Sequence, residues 1–176
     1  MSIRRLEGHP PPDDKPSADC SKPLLAVDID GVISIFGWEE RPRLTHMQLV
    51  DGVPHCISLP VGDRLRRLSE RFELVWASGW EEKANFYLPQ LLGLPELPHV
   101  AFDVAPRSGD AHWKLAALED YAGDRPLAWI DDNFDSSCFS WSERRLSPTL
   151  LVLTEPQIGL EEAHVEALHC WASTLD

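Results

Sequence analysis

At 176 residues the chain is long enough for one compact domain with a proper core. Its 43% hydrophobic content and seven tryptophans exclude a disordered chain. A formal charge of -13, from 16 Lys+Arg against 29 Asp+Glu, works against coating nucleic acid or binding anionic membrane.

Residues 1–22 carry basic side chains and three consecutive prolines but no apolar stretch, which reads as a mobile leader and not as a secretory signal. From Pro23 onward, short apolar runs recur between polar or Gly/Pro borders: LLAV (24–27), ELVWA (73–77), HVAF (99–102), LAWI (127–130) and TLLVL (149–153). Each reads as a buried strand. Helix-period segments lie between them at 61–72, 80–92, 112–123, 134–146 and 159–175, with Pro89 expected to break or kink the second. Asp51-Gly52 inside THMQLVDGVPHCISLP (45–60) predicts a β-hairpin between the first strand and the first helix. Near-continuous apolar strands alternating with helices predict a Rossmann-like three-layer α/β/α sandwich around a parallel sheet, as one domain over 23–176. No apolar run approaches the ~18 residues of a membrane span. Cys20, Cys56, Cys138 and Cys170 show neither CxxC nor zinc-ligand spacing, so free, mostly buried thiols in a reducing cytoplasm are expected.

Open parallel sheets bind ligands beyond the carboxyl ends of their strands. There the first strand delivers Asp28 and Asp30, the second Ser78 and Gly79, and LAWI delivers Asp131 and Asp132. Converging carboxylates repel one another, at ~4 Å by several kcal/mol for an effective dielectric near ~20. A divalent cation relieves that, and an oxygen-only donor set favours Mg²⁺. Ser78 and the Gly79 amide, ahead of a helix, also form an anion site. Of the four lysines, Lys15 and Lys22 fall in the leader. Lys114, in the helix before LAWIDD, is best placed to balance a phosphate, with Lys83 as the fallback. The plainer alternatives are a serine-capped strand-to-helix turn for Ser78-Gly79 and a solvated helix charge for Lys114. Trp38, Trp80 and Trp113 adjoin these motifs and are expected at the site mouth, whereas Trp76 and Trp129 are read as core and His112 as a surface residue.

The order DIDGV, VWASGW, HWKLAAL, AWIDDN resembles the four motifs of the haloacid-dehalogenase-like (HAD) phosphohydrolase superfamily, spanning Asp28 to Asp132. WASGWEEKAN with WIDDN is more narrowly similar to HAD domains of bacterial RNA-repair-related proteins. The resemblance implies Asp28 as nucleophile, giving an aspartyl-phosphate, and Asp30 as the acid and base. It implies Ser78, Gly79 and Lys114 as phosphate ligands. Asp28, the Asp30 backbone carbonyl, and Asp131 or Asp132 would hold Mg²⁺, the choice between the last two staying open. An acid at position 30 is the pattern of the phosphatases and phosphomutases of the family, not of its dehalogenases. Val32 departs from the commoner Thr, and Ser78 replaces Thr conservatively.

Neither inter-motif gap holds a full cap domain, so the resemblance is to the capless class, with the hairpin as a small flap. The expected partner is a phosphorylated substrate, either a small molecule or a nucleic-acid end, with no membrane partner and with an oligomer allowed. The alternative is a non-catalytic HAD-like module that binds phospholigands or a partner, although the intact set Asp28, Asp30, Ser78, Lys114 and Asp131 speaks against a decayed site.

Overall fold

The computed structural model describes residues 22–102 and 112–175. The leader predicted for 1–22 therefore lies outside the described residues, apart from Lys22. That residue's carbonyl accepts from Arg125 at 2.8 Å, and its ammonium donates to the Ser69 carbonyl at 3.2 Å.

Leu24–Val27 (β1) is fully buried along its length. It is the central strand of a four-stranded parallel sheet with Glu73–Trp76 (β5) on one side and Leu127–Asp131 (β6) on the other, and Thr149–Leu153 (β7) beyond. Successive β1 side chains face opposite cores, because strand side chains alternate. Leu25 and Val27 pack in the cluster that takes Leu65 and Leu68 of Pro60–Ser69 (α1), Leu88 of Ala84–Leu92 (α2) and Val165 of Glu162–Ala172 (α5). Leu24 and Ala26 pack in the other, with Leu118 of Leu115–Ala122 (α3) and Trp141 of Ser136–Arg144 (α4). A strand buried on both faces has no polar side, which is why LLAV carries no alternation.

Three expectations change. HVAF supplies one parallel bridge, His99 beside Trp76, where the Val100 amide donates to the Trp76 carbonyl at 2.8 Å. Prolines at 95 and 98 precede this run, and a proline has no amide to give to a ladder. The helix expected from Trp80 begins as a single 3-10 turn, Glu81–Lys83, and becomes α2 only at Ala84. Pro89 sits inside α2 without ending it; the helix stops at Gly93, whose φ of 65° and amide bond to the Pro89 carbonyl close the last turn.

The hairpin forms as Thr45–Val50 (β3) and Val53–Ser58 (β4), with Asp51 and Gly52 both at positive φ, 49° and 83°. Ser34–Ile35 (β2) adds to β4, giving a separate antiparallel sheet in the order β2-β4-β3. Val50 and Ile57 anchor it in the main core.

The spatial order β5-β1-β6 sets the site. The chain leaves β1 toward β5 on one side and returns to β6 on the other, so the carboxyl ends of β1 and β6 flank a topological switch point, where a crevice opens.

Candidate functional site

Asp28 follows β1 directly and is 6% exposed, with its amide bonded to the Ile130 carbonyl of β6 at 3.0 Å. Asp131 ends β6 and is 2% exposed. The Lys114 ammonium joins them, 3.0 Å from Asp28 Oδ1 and 2.7 Å from Asp131 Oδ2. Lys114 is itself buried and stands at the N-cap position of α3 rather than within the helix. Trp129 donates its indole N–H to the same Asp131 oxygen at 3.1 Å, and the Asn133 amide donates to the other oxygen at 3.1 Å. Asp131 is thus oriented from three directions.

Asp132 follows on the turn, half-buried, and accepts no hydrogen bond from another described residue. Its carboxyl lies against Gly31, where φ is 75° and an added Cβ would stand 2.3 Å from the Asp132 carboxyl carbon. The glycine is required there by backbone conformation and by crowding together. Asp28, Asp131 and Asp132 each bring an oxygen within 4.8 Å of the others. Three carboxylates against one buried ammonium leave an excess of negative charge. Burial first, and Asp131 next, push the Asp28 carboxyl up to about 7, against the pull of Lys114. Asp132 is likewise raised, by burial and by Asp131. A buried, oxygen-only, under-neutralised donor set fits a hard divalent cation.

Asp30 is positioned differently. Gly31 to Ser34 fold back onto the Ile29 carbonyl, which accepts from the amides of Ile33 and Ser34 at 2.8 Å each. The Asp30 side chain then points toward the hairpin and the turn after β5. Trp80 donates its indole N–H to Oδ2 at 3.0 Å, and His55 Nδ1 lies 3.3 Å from Oδ1 and 3.0 Å from Ser34 Oγ. The His55 ring rests edge-on against Trp80, centroids 4.6 Å apart. The Asp30 carboxyl therefore stands outside the acidic triad, on its own support.

Ser78 lies beyond β5, 1% exposed, where the neighbouring Ala77 amide bonds the Val27 carbonyl at 2.8 Å. Among the described residues the amides of Ser78 and Gly79 donate to no acceptor. Gly79 is exposed, and a Cβ there would meet only Trp113 at 3.9 Å, so neither crowding nor strain calls for glycine. Lys83, the fallback cation, is drawn away to the hairpin turn, where it pairs with Asp51.

The structure thus brings Asp28, Lys114, Asp131 and Asp132 together and sets Asp30, Ser78 and Gly79 around them. Trp80 and Trp113 adjoin the site as expected; Trp113 lies 5.3 Å from the Lys114 ammonium. Trp129 is core, and it also steers Asp131. His112 is half-buried, not on the surface: its ring packs edge-on against Trp129 at 5.3 Å, its Nδ1 accepts from the Lys114 amide at 3.3 Å, and burial lowers its pKa. His55 escaped the sequence reading, because pairing across a hairpin has no fixed sequence spacing to mark it. Cys56, Cys138 and Cys170 are free thiols, the first two buried, while Cys20 lies outside the described residues. No helix of the described residues is long and apolar enough to cross a membrane.

By fold and site this is an α/β protein with a parallel sheet and a buried acidic cluster at its switch point. No family model matches the chain, and no curated protein matches it.

Proposed function

We propose that the chain is a Mg²⁺-dependent phosphohydrolase of the HAD-like type, capless, acting through an aspartyl-phosphate. The observation that carries this reading is the triad of Asp28, Asp131 and Asp132 within 4.8 Å, spanned by a buried Lys114. A structural ion pair needs one carboxylate. Three, at the switch point of a parallel sheet, suit a cation and an anionic ligand.

Asp28, Asp131 and Asp132 would hold the Mg²⁺, which when bound supplies the positive charge that lets a phosphate approach a carboxylate. An Asp28 oxygen attacks phosphorus; the ester P–O bond breaks, and its electron pair goes to the leaving oxygen, which takes a proton from Asp30. Water then attacks the phosphorus of the aspartyl-phosphate. It gives its proton to Asp30, and the Asp28 carboxylate is released. Asp30 is suited to both steps, since Trp80 holds Oδ2 with a group that can only donate, which leaves Oδ1 to carry the proton. Lys114 and the free amides of Ser78 and Gly79 hold phosphate oxygens. The missing side chain at Gly79, which no internal contact requires, leaves room for that approach.

Turnover of p-nitrophenyl phosphate that requires Mg²⁺ and is abolished by EDTA is the expected result. No turnover across nucleotides, sugar phosphates and 3′-phosphorylated oligonucleotides would leave the non-catalytic module as the better account.

A further inference from the structure

The β2-β4-β3 sheet has two faces: one packs into the main core, and on the other Ile35 and Cys56 are buried while Met47 is half-exposed. Ile57 and Val50 point inward. On the opposite face, Ile35, Cys56 and Met47 form one row across the three strands, because Ile35 pairs with Cys56 and Cys56 with Met47 in the ladder. That row is the floor of a cavity of about 630 Å³. Phe36 and Trp38 form part of its wall, and the Trp38 indole is fixed by a bond to the Ile35 carbonyl at 3.2 Å. Asp30, Ser34 and His55 line it as well, the last two from the Ile57 side of the sheet.

Two observations say what fits there. The cavity adjoins the carboxyl that faces the leaving group, so its occupant is joined to the ester oxygen. Among the described residues its lining contains no lysine or arginine, and its one carboxyl is that of Asp30. A second phosphate would enter without a counter-charge from those residues, which is costly. A flat apolar group loses water against Phe36, Trp38 and Met47 at no such cost.

We infer that this cavity is a leaving-group subsite for phosphate monoesters whose alcohol carries an uncharged aromatic or apolar body, and that it selects against a second anionic group. The inference rests on the phosphohydrolase reading for the place of the phosphate. It separates the two substrate classes left open by sequence: a nucleic-acid end brings a neighbouring phosphate within a nucleotide's length, and the described residues of this lining offer it no cation.

The test is binding of non-hydrolysable phosphonates to the full chain with Mg²⁺, read by calorimetry and by the Trp38 indole N–H signal in NMR. Benzylphosphonate is expected to bind at least tenfold tighter than methylphosphonate, and 2-carboxyethylphosphonate no tighter than methylphosphonate. Phe36→Ala and Met47→Ser, at positions 48% and 42% exposed and so tolerant of truncation, are expected to narrow the benzyl preference below threefold. Equal affinity for benzyl and methyl compounds, or tightest binding of the carboxyethyl compound, overturns the inference. Failure of the phosphatase reading looks different: no phosphonate binds, while benzyl alcohol still shifts the Trp38 signal. Silence of that signal toward both overturns the subsite itself.

Discussion

Asp28 and Asp30 are two residues apart and have unlike surroundings, because the turn over the Ile29 carbonyl sends one carboxyl to Lys114 and the other to Trp80 and His55. Asp28→Asn keeps the shape and removes the proposed nucleophile, so turnover is expected at background with no phosphoenzyme trapped. Asp30→Asn keeps the proposed nucleophile and removes the proposed proton carrier. Its loss should be ~10²–10⁴-fold for an alkyl phosphate and much smaller for the first step with p-nitrophenyl phosphate, whose leaving group needs no proton. Stopped-flow comparison of the two substrates reads that difference; equal losses in both first steps would remove Asp30 from the acid role. Gly31 makes a third residue-scale prediction. In Gly31→Ala the new methyl occupies the place of the Asp132 carboxyl, in a backbone conformation unfavourable to alanine. Stability should fall by roughly 1–3 kcal/mol and Mg²⁺ affinity should fall with it. Urea titration and calorimetry measure the two separately. DIDG was legible as a motif; that its glycine makes room for an aspartate a hundred residues away was not.

Elements were legible where one physical signal dominated. Asp51-Gly52 fixed the hairpin because two successive positive φ values suit few other dipeptides. LLAV and LAWI read as strands because burial on both faces removes alternation, whereas TLLVL, the half-buried edge strand with Leu153 exposed, read as one by its apolarity alone. HVAF failed by the same criterion: its single bridge to β5 depends on neighbouring prolines and on what lies beside it, not on its apolarity. Helix contact gives the prediction at this scale. Gly62 in α1 touches α2 so closely that a Cβ would stand 2.3 Å from the Leu92 carbonyl oxygen. Propensity alone says that Gly62→Ala gains about 1 kcal/mol. A backbone oxygen cannot rotate away, however, so the overpacking cost of about 1–3 kcal/mol should win. A chemical denaturation midpoint below that of the parent chain is the expected outcome, and a rise would mean that α1 and α2 separate freely.

At the scale of the whole molecule, the acidic site should make stability depend on pH and metal together. The folded Asp28 carboxyl is raised to about 7, mainly by burial, above its ordinary value of 3.8. Between those values the folded state holds more protons than the unfolded one, so stability falls as pH rises, by up to about 1.4 kcal/mol per pH unit from this group. On the proposed reading Mg²⁺ would bind the deprotonated cluster and reverse the loss. At about 100 times its dissociation constant it adds about 2.7 kcal/mol. The rise in Tm on adding Mg²⁺ should therefore be larger at pH 8 than at pH 5, and should vanish in a variant carrying Asp131→Asn and Asp132→Asn. A Mg²⁺ effect independent of pH would separate metal binding from these carboxylates.

The sequence by itself determined the alternation of strands and helices, the hairpin, and the residues that end the strands, because each follows from local pattern: apolar runs, turn dipeptides, acids at the end of a run. Tertiary structure alone decided which of those residues meet. The order β5-β1-β6 put Asp28 beside Asp131, and a lysine ahead of α3 reached both. The fold-back after Asp28 turned Asp30 toward a histidine from the hairpin, and the second face of that hairpin sheet became a cavity wall. Such meetings depend on strand order, ladder register and the direction of a turn. Those are set by the whole chain packing at once, and no spacing within the sequence encodes them.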